Sequence, residues 1–134
     1  MSQNMEKCVQ LSKNHSLDVF NSFNSFNRHL PLPFMFLTNC GGEPFMAIGE
    51  NKKGYHFFSP YFLLKKMLDE SCMQLMILEP VGTDGCLIEY PERFYSLQTT
   101  GSSILVLKES ISAIQTFSSD DIDRKLIDPG SKKD

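Results

Sequence analysis

The chain has 134 residues, enough for one domain with its own core, and its 41% apolar and 22% charged residues are ordinary for a globular protein. Its net charge is −3, and its basic pairs (Lys52-Lys53, Lys65-Lys66, Lys132-Lys133) lie far apart, which argues against a nucleic-acid binder with a basic face. No stretch reaches the ~18 apolar residues of a membrane span. The polar start lacks the apolar core of a signal peptide, so the expectation is a protein made in the cytoplasm of its cell.

Residues 1–30 read as an N-terminal arm or short helix. Leu17, Phe20, Phe23 and Phe26 recur at a spacing of three, as one apolar stripe on a helix would. Such a stripe must cover either this domain or a neighbouring subunit, which makes Phe20, Phe23 and Phe26 interface candidates. Pro31 and Pro33 end the arm.

Residues 31–117 read as the body. Pro33 to Asn39 is a strand, Asn39-Cys40-Gly41-Gly42 a turn, and PFMAIGE a second strand that completes a hairpin with the first. A turn follows at Asn51 to Gly54. The run YHFFSPYFLLKKML is strand-like and broken at Ser59-Pro60, since proline cannot donate a ladder bond. From Tyr61 a short helix also fits, and the strand reading is preferred. CMQLMILEPV sets Met73, Leu75 and Ile77 on one face and Cys72, Gln74, Met76 and Leu78 on the other. CLIEYP, RFYSLQTT, SILVLKES and ISAIQTF follow as further strands. Residues 118–134 are polar and read as a fraying tail with a short helix at 120–127. About eight short strands between turn signals imply an all-β fold, an antiparallel sandwich or flattened barrel.

Catalytic signatures are missing. Gly-x-Ser-x-Gly, His-Glu-x-x-His and the phosphate loop do not occur. Cys8, Cys40, Cys72 and Cys86 form no Cys-x-x-Cys, so neither a metal site nor any other cofactor is expected. A thiol enzyme would have to pair Cys40 or Cys72 with His29 or His56 across the fold. Met35, Met46, Met67, Met73 and Met76 read as core filling, or as the lining of an apolar ligand cavity in a barrel-like binding module. In Phe57-Phe58, Tyr61-Phe62 and Phe94-Tyr95, one ring of each pair should face away from the core. Cys8 and Cys40, on an arm and a hairpin tip, are the thiols best placed for bonds between molecules, with Cys72 and Cys86 nearer strand ends.

In their order, PFMFLTNCGGEPFMAIG, SPYFLL, DESCMQLMIL, DGCLIEYP and SSILVLKESISAIQ resemble the spore coat protein Y/Z family, proteins of the outer spore crust and exosporium basal layer. The likeness runs from about Pro33 to Phe117. It implies a non-enzymatic structural protein deposited on the spore surface from the mother cell. It also implies that the chain associates with itself, as a hexameric ring or a lattice, and with other coat or exosporium proteins. The family's layers are reinforced by disulfides, and Cys8, Cys72 and Cys86 fall near places where it carries cysteine. Here Ser103, Ser110, Ser112 and Thr116 stand where the closing strands of the family are cysteine-rich. That departure implies either a low-cysteine variant that assembles through noncovalent contacts or a partner that docks onto a cysteine-rich layer.

Overall fold

The computed structural model describes residues 31–39 and 41–127. Burial alternates with period two along Ala47–Glu50, His56–Ser59 and Cys72–Ile77, and among the described residues the fold is all-β and antiparallel, with nine strands. They are β1 (Phe34–Thr38), β2 (Ala47–Glu50), β3 (His56–Ser59), β4 (Phe62–Met67), β5 (Cys72–Ile77), β6 (Glu79–Val81), β7 (Ser96–Gln98), β8 (Ser103–Leu107) and β9 (Ile111–Thr116). Five of them form one sheet in the order β8-β5-β4-β1-β9, while β2-β3 and β6-β7 are separate two-stranded sheets.

A 3-10 turn at Lys108–Ser110 links the two edges of the large sheet. Flat, five strands would set those edges ~19 Å apart, whereas three linking residues reach at most ~15 Å. The sheet must therefore curl, yet it does not close. The result is a sandwich, with a hairpin on each face of a curled sheet.

Each face has its own core. On one, Phe34, Phe36, Phe62, Met73, Leu75, Ile77, Val106 and Ile111 pack against Ala47 and Phe57 of the β2-β3 hairpin. On the other, Met35, Leu63 and Met76 pack with Tyr61, Leu78 and Leu97 beneath β6-β7. The methionines are therefore shared between packing layers: Met73 is sealed in the first, Met35 and Met76 lie in the second, and Met46 is exposed. A bulge between Leu64 and Lys66 resets the alternation of β4, so Leu64 and Met67 both reach the first core.

Several expected elements differ. β2 does not form a hairpin with β1. It pairs with β3, and β1 lies between β4 and β9, meeting the connection to β2 at the Leu37–Pro44 bridge, where Phe45 stacks on Phe36. The local pairing stops at that bridge, and the long ladder with β9 buries Phe34 and Phe36 inside the large sheet. CMQLMILEPV is two strands in two sheets, and the switch at Leu78 buries that residue completely. CLIEYP is a loop with a single bridge from Leu87 to Val81. Pro91 lacks a donor, and a turn closes at once from the Glu92 N–H to the Glu89 carbonyl (2.9 Å). Tyr61 and Phe62 are both buried, because both faces of the sheet are covered.

The segment after Phe117, expected to fray, is pinned as far as Ile127. Its expected helix is only a 3-10 turn at Ser119–Asp121. Ile122 bridges Leu97, and Asp123 accepts from the N–H and hydroxyl of Thr99 (both 2.9 Å). Arg124 lies 4.1 Å over the Tyr95 ring, whose hydroxyl donates to the Lys125 carbonyl (2.9 Å).

Two predictions follow from this packing. A Cβ on Gly49 would stand 2.7 Å from Phe57 Cζ and 3.0 Å from Ile77 Cγ2, both on buried side chains. Gly49→Ala is expected to lift the β2-β3 hairpin from the core and cost about 1–3 kcal/mol in denaturant unfolding. Tyr61 is pushed up from 10.0 to about 12, first by burial and then by the nearby Tyr90. Its neutral form is favoured by folding. That contribution is complete below pH 10 and is lost as pH rises towards about 12. In an alkaline titration, one of the four tyrosines should ionise only together with unfolding.

Candidate assembly surfaces

The first surface is built where β5 and β8 run side by side. The Asp69 carboxylate accepts from the Ser71 N–H (2.8 Å), the Ser71 hydroxyl (3.1 Å) and the Cys72 N–H (2.8 Å). These bonds hold its pKa below the usual carboxylate range, the Ser71 N–H contributing most, and they fix the turn that launches β5. Cys72 then stands opposite Leu107, and its carbonyl accepts from the Leu68 N–H (2.9 Å). The period of the strands puts Leu68, Cys72, Leu105 and Leu107 on the face away from the first core. Leu105 is 62% and Leu107 52% exposed, while Cys72 is a half-buried free thiol beside them.

The second surface is the outer face of β2-β3. Its inner face carries Ala47 and Phe57 into the core, so the alternate residues point outward. Ile48 and Phe58 lie directly opposite each other and are 59% and 63% exposed. Beside them the Glu50 and His56 side chains stand 3.3 Å apart, and Met46 and Tyr55 extend the exposed area.

A groove of about 720 Å³ runs between the tip of this hairpin and β6-β7, lined by residues that include Lys52, His56, Glu79, Asp84 and Cys86. Asn51 Nδ2 donates to the Glu79 carboxylate across it (3.0 Å). Cys86 is exposed there, its N–H bonded to Asp84 (2.9 Å). Of the histidines considered for a thiol base, His56 therefore shares a groove with Cys86 and not with Cys72. The sequence offered no signal for that neighbourhood, which arises only because two separate hairpins approach each other.

Cys8, Cys40, His29, Phe20, Phe23 and Phe26 lie outside the described residues. The serines expected in place of cysteine are engaged in the fold. Ser110 Oγ donates to the Leu107 carbonyl (2.7 Å), Ser112 Oγ to the carbonyls of Leu37 (3.2 Å) and Thr38 (3.0 Å), and Ser103 Oγ accepts from Gln74 (3.0 Å). Among the described residues, no group of three His, Cys, Asp or Glu is placed to hold a metal ion, and no helix is long and apolar enough to cross a membrane.

The family model described as Spore coat protein Z matches residues 2–118, which covers the whole β-rich body and bears out the resemblance in motif order. No curated protein and no solved structure matches this chain.

Proposed function

The chain belongs to the spore coat protein Z family, and from that membership we propose that it serves as a self-associating building unit of the bacterial spore surface. The family supplies the structural coat role and the surface location. The observation that supports self-association is the pair of outward apolar surfaces, Leu105–Leu107 on β8 and Ile48–Phe58 on β2-β3. Exposed apolar clusters of this kind mark interaction sites. Two different surfaces on one subunit allow contacts in more than one direction, which a ring or layer requires and a simple dimer does not.

The finer placement is an outer crust or an exosporium basal layer, with other coat proteins as partners. Crosslinks are secondary in this reading. Cys86 is exposed and Cys72 half-buried, and Cys8 and Cys40 complete the four thiols available. The N-terminal Phe20, Phe23 and Phe26 would add a further contact to a neighbouring subunit.

Negative-stain electron microscopy of the purified protein, with and without reductant, tests the proposal. Rings or sheets under both conditions are expected. Assemblies that vanish in reductant would transfer the mechanism to the thiols. Small single particles in both conditions, at high protein concentration, would overturn self-association.

A further inference from the structure

β8 is an edge strand of the large sheet, and no strand among the described residues pairs with its outer side. Its ladder with β5 decides which backbone groups point outward. Ile104 stands opposite Leu75 and Val106 opposite Met73. The Ile77 N–H donates to the Ser102 carbonyl (3.0 Å) and the Lys108 N–H to the Ser71 carbonyl (2.9 Å), so the even-numbered residues are the ones bonded to β5. By the alternation of an antiparallel ladder, Ser103, Leu105 and Leu107 aim their N–H and carbonyl groups away from it.

Natural edges are guarded by a charge, a proline, a bulge or a covering segment. β8 reads Ser-Ile-Leu-Val-Leu and has neither charge nor proline, with two exposed leucines on its outer face. We infer that β8 pairs antiparallel with β8 of a second copy about a two-fold axis through Leu105. This inference rests on the self-association proposed above and names its contact.

In that register Leu105 faces Leu105, and Ser103 faces Leu107. Each facing pair exchanges two backbone hydrogen bonds, the Leu107 carbonyl keeping its second lone pair for Ser110 Oγ. Ile104 and Val106 meet their counterparts on the core side, and the leucines meet on the outer side, so two large sheets merge into one.

The charges at the two ends of β8 suit this partner. Lys108 follows one end of β8. At the other end lies Glu50, whose backbone N–H donates to Ser102 Oγ (2.8 Å), while that hydroxyl donates to the Glu50 carbonyl (3.3 Å). Antiparallel self-pairing carries Lys108 of each copy to the Glu50 end of the other, so opposite charges approach at both ends.

Leu105→Lys and Leu105→Glu, each in the full chain, test the axis by sedimentation velocity over a concentration series. Leu105 is exposed in the single subunit, so neither change disturbs the fold. Each variant alone places like charges opposite each other and is expected to weaken dimerisation by about tenfold or more. An equimolar mixture of the two should recover it, because only a residue that faces itself responds in this way. Variants and mixture that all match the wild type would overturn the axis. So would a wild type that is monomeric throughout, including one with a protected Leu105 amide, which would point to residues 1–30 of the same chain as the covering strand. Incorporation of each variant into spores is read separately. Incorporation by a monomeric wild type would sink the axis and leave the coat role standing.

Discussion

Phe62→Ala is expected to lower the unfolding free energy by about 3–5 kcal/mol, among the largest costs for any single truncation in this chain. Phe62 is fully buried at the middle of the large sheet. Its ring centroid lies 5.3 Å from Phe36, 6.1 Å from Phe45 and 6.4 Å from Phe34. The position matters more than the area. β4 and β5 share a long ladder, as do β1 and β9, but β1 and β4 meet in register only at Phe34 and Phe62. The two halves of the sheet are thus joined less by backbone hydrogen bonds than by this aromatic cluster. Truncating Phe62 leaves a cavity at the seam. Amide exchange should show β1 and β9 losing protection before β5 does, alongside a lower denaturation midpoint. An equal loss of protection across all five strands would show that the seam is not the weak joint. Phe62→Leu, which keeps most of the volume, should cost markedly less.

The period-two pattern was a dependable guide where a strand has one buried and one open face. It set Met73, Leu75 and Ile77 together, and all three are buried in the first core. It separated Phe57 from Phe58 in the same way. It failed where both faces are covered. Tyr61 and Leu78 look like outward residues by alternation, and each is buried under the second hairpin. Alternation reports the faces of a strand, and only tertiary packing decides how many of those faces meet water. Partner choice was equally invisible. β1 and β2 are adjacent in sequence and read as a hairpin, yet β1 finds β9 more than 70 residues away. The tail misled for a related reason. Its charged composition suggests solvation, while Asp123, Arg124 and Leu126 act one by one on Thr99, Tyr95 and the space above Gly85.

The surfaces were less legible than the strands. An exposed leucine on β8 and a buried one on β5 belong to similar apolar runs, and the difference lies in which face of the sheet each meets: Leu75 points into the first core with Val106, and Leu105 points away from it. Cysteine spacing showed where thiols sit along the chain but not what they face. Cys72 stands beside leucines on an outer sheet face, and Cys86 lines the groove between the tip of β2-β3 and β6-β7. Adjacent aromatics were a mixed signal: Phe58 faces outward as one ring of its pair should, whereas Tyr61 and Phe62 are both buried.

Ser59→Ala is expected to cost about 2–6 kcal/mol, although it removes a single oxygen atom. β5 leaves the large sheet at Leu78 to become β6, and β3 leaves its own sheet at Ser59 to become β4. At such crossings the backbone loses its ladder partners, and buried groups must find others. Two hydroxyls supply them. Thr100 Oγ1 donates to the Ile77 carbonyl (2.6 Å), and Ser59 Oγ donates to the Leu78 carbonyl (2.6 Å) while accepting from the Tyr61 N–H (3.0 Å). Ser59 is fully buried, so water cannot take its place. Alanine would leave one carbonyl and one N–H unpaired, at about 1–3 kcal/mol each. Ser112→Ala is the matched control. Its hydroxyl also serves two backbone groups, here two carbonyls, but at a half-buried site where solvent can substitute, and about 0.5–1.5 kcal/mol is expected. Equal losses in the two variants would show that the crossing does not depend on Ser59. Because β2-β3 and β6-β7 flank that crossing on opposite faces, Ser59→Ala should also loosen the Ile48–Phe58 surface against the rest of the domain. A variant that folds at low temperature yet assembles poorly on warming would connect the stability of this joint to the lattice contact it holds in place.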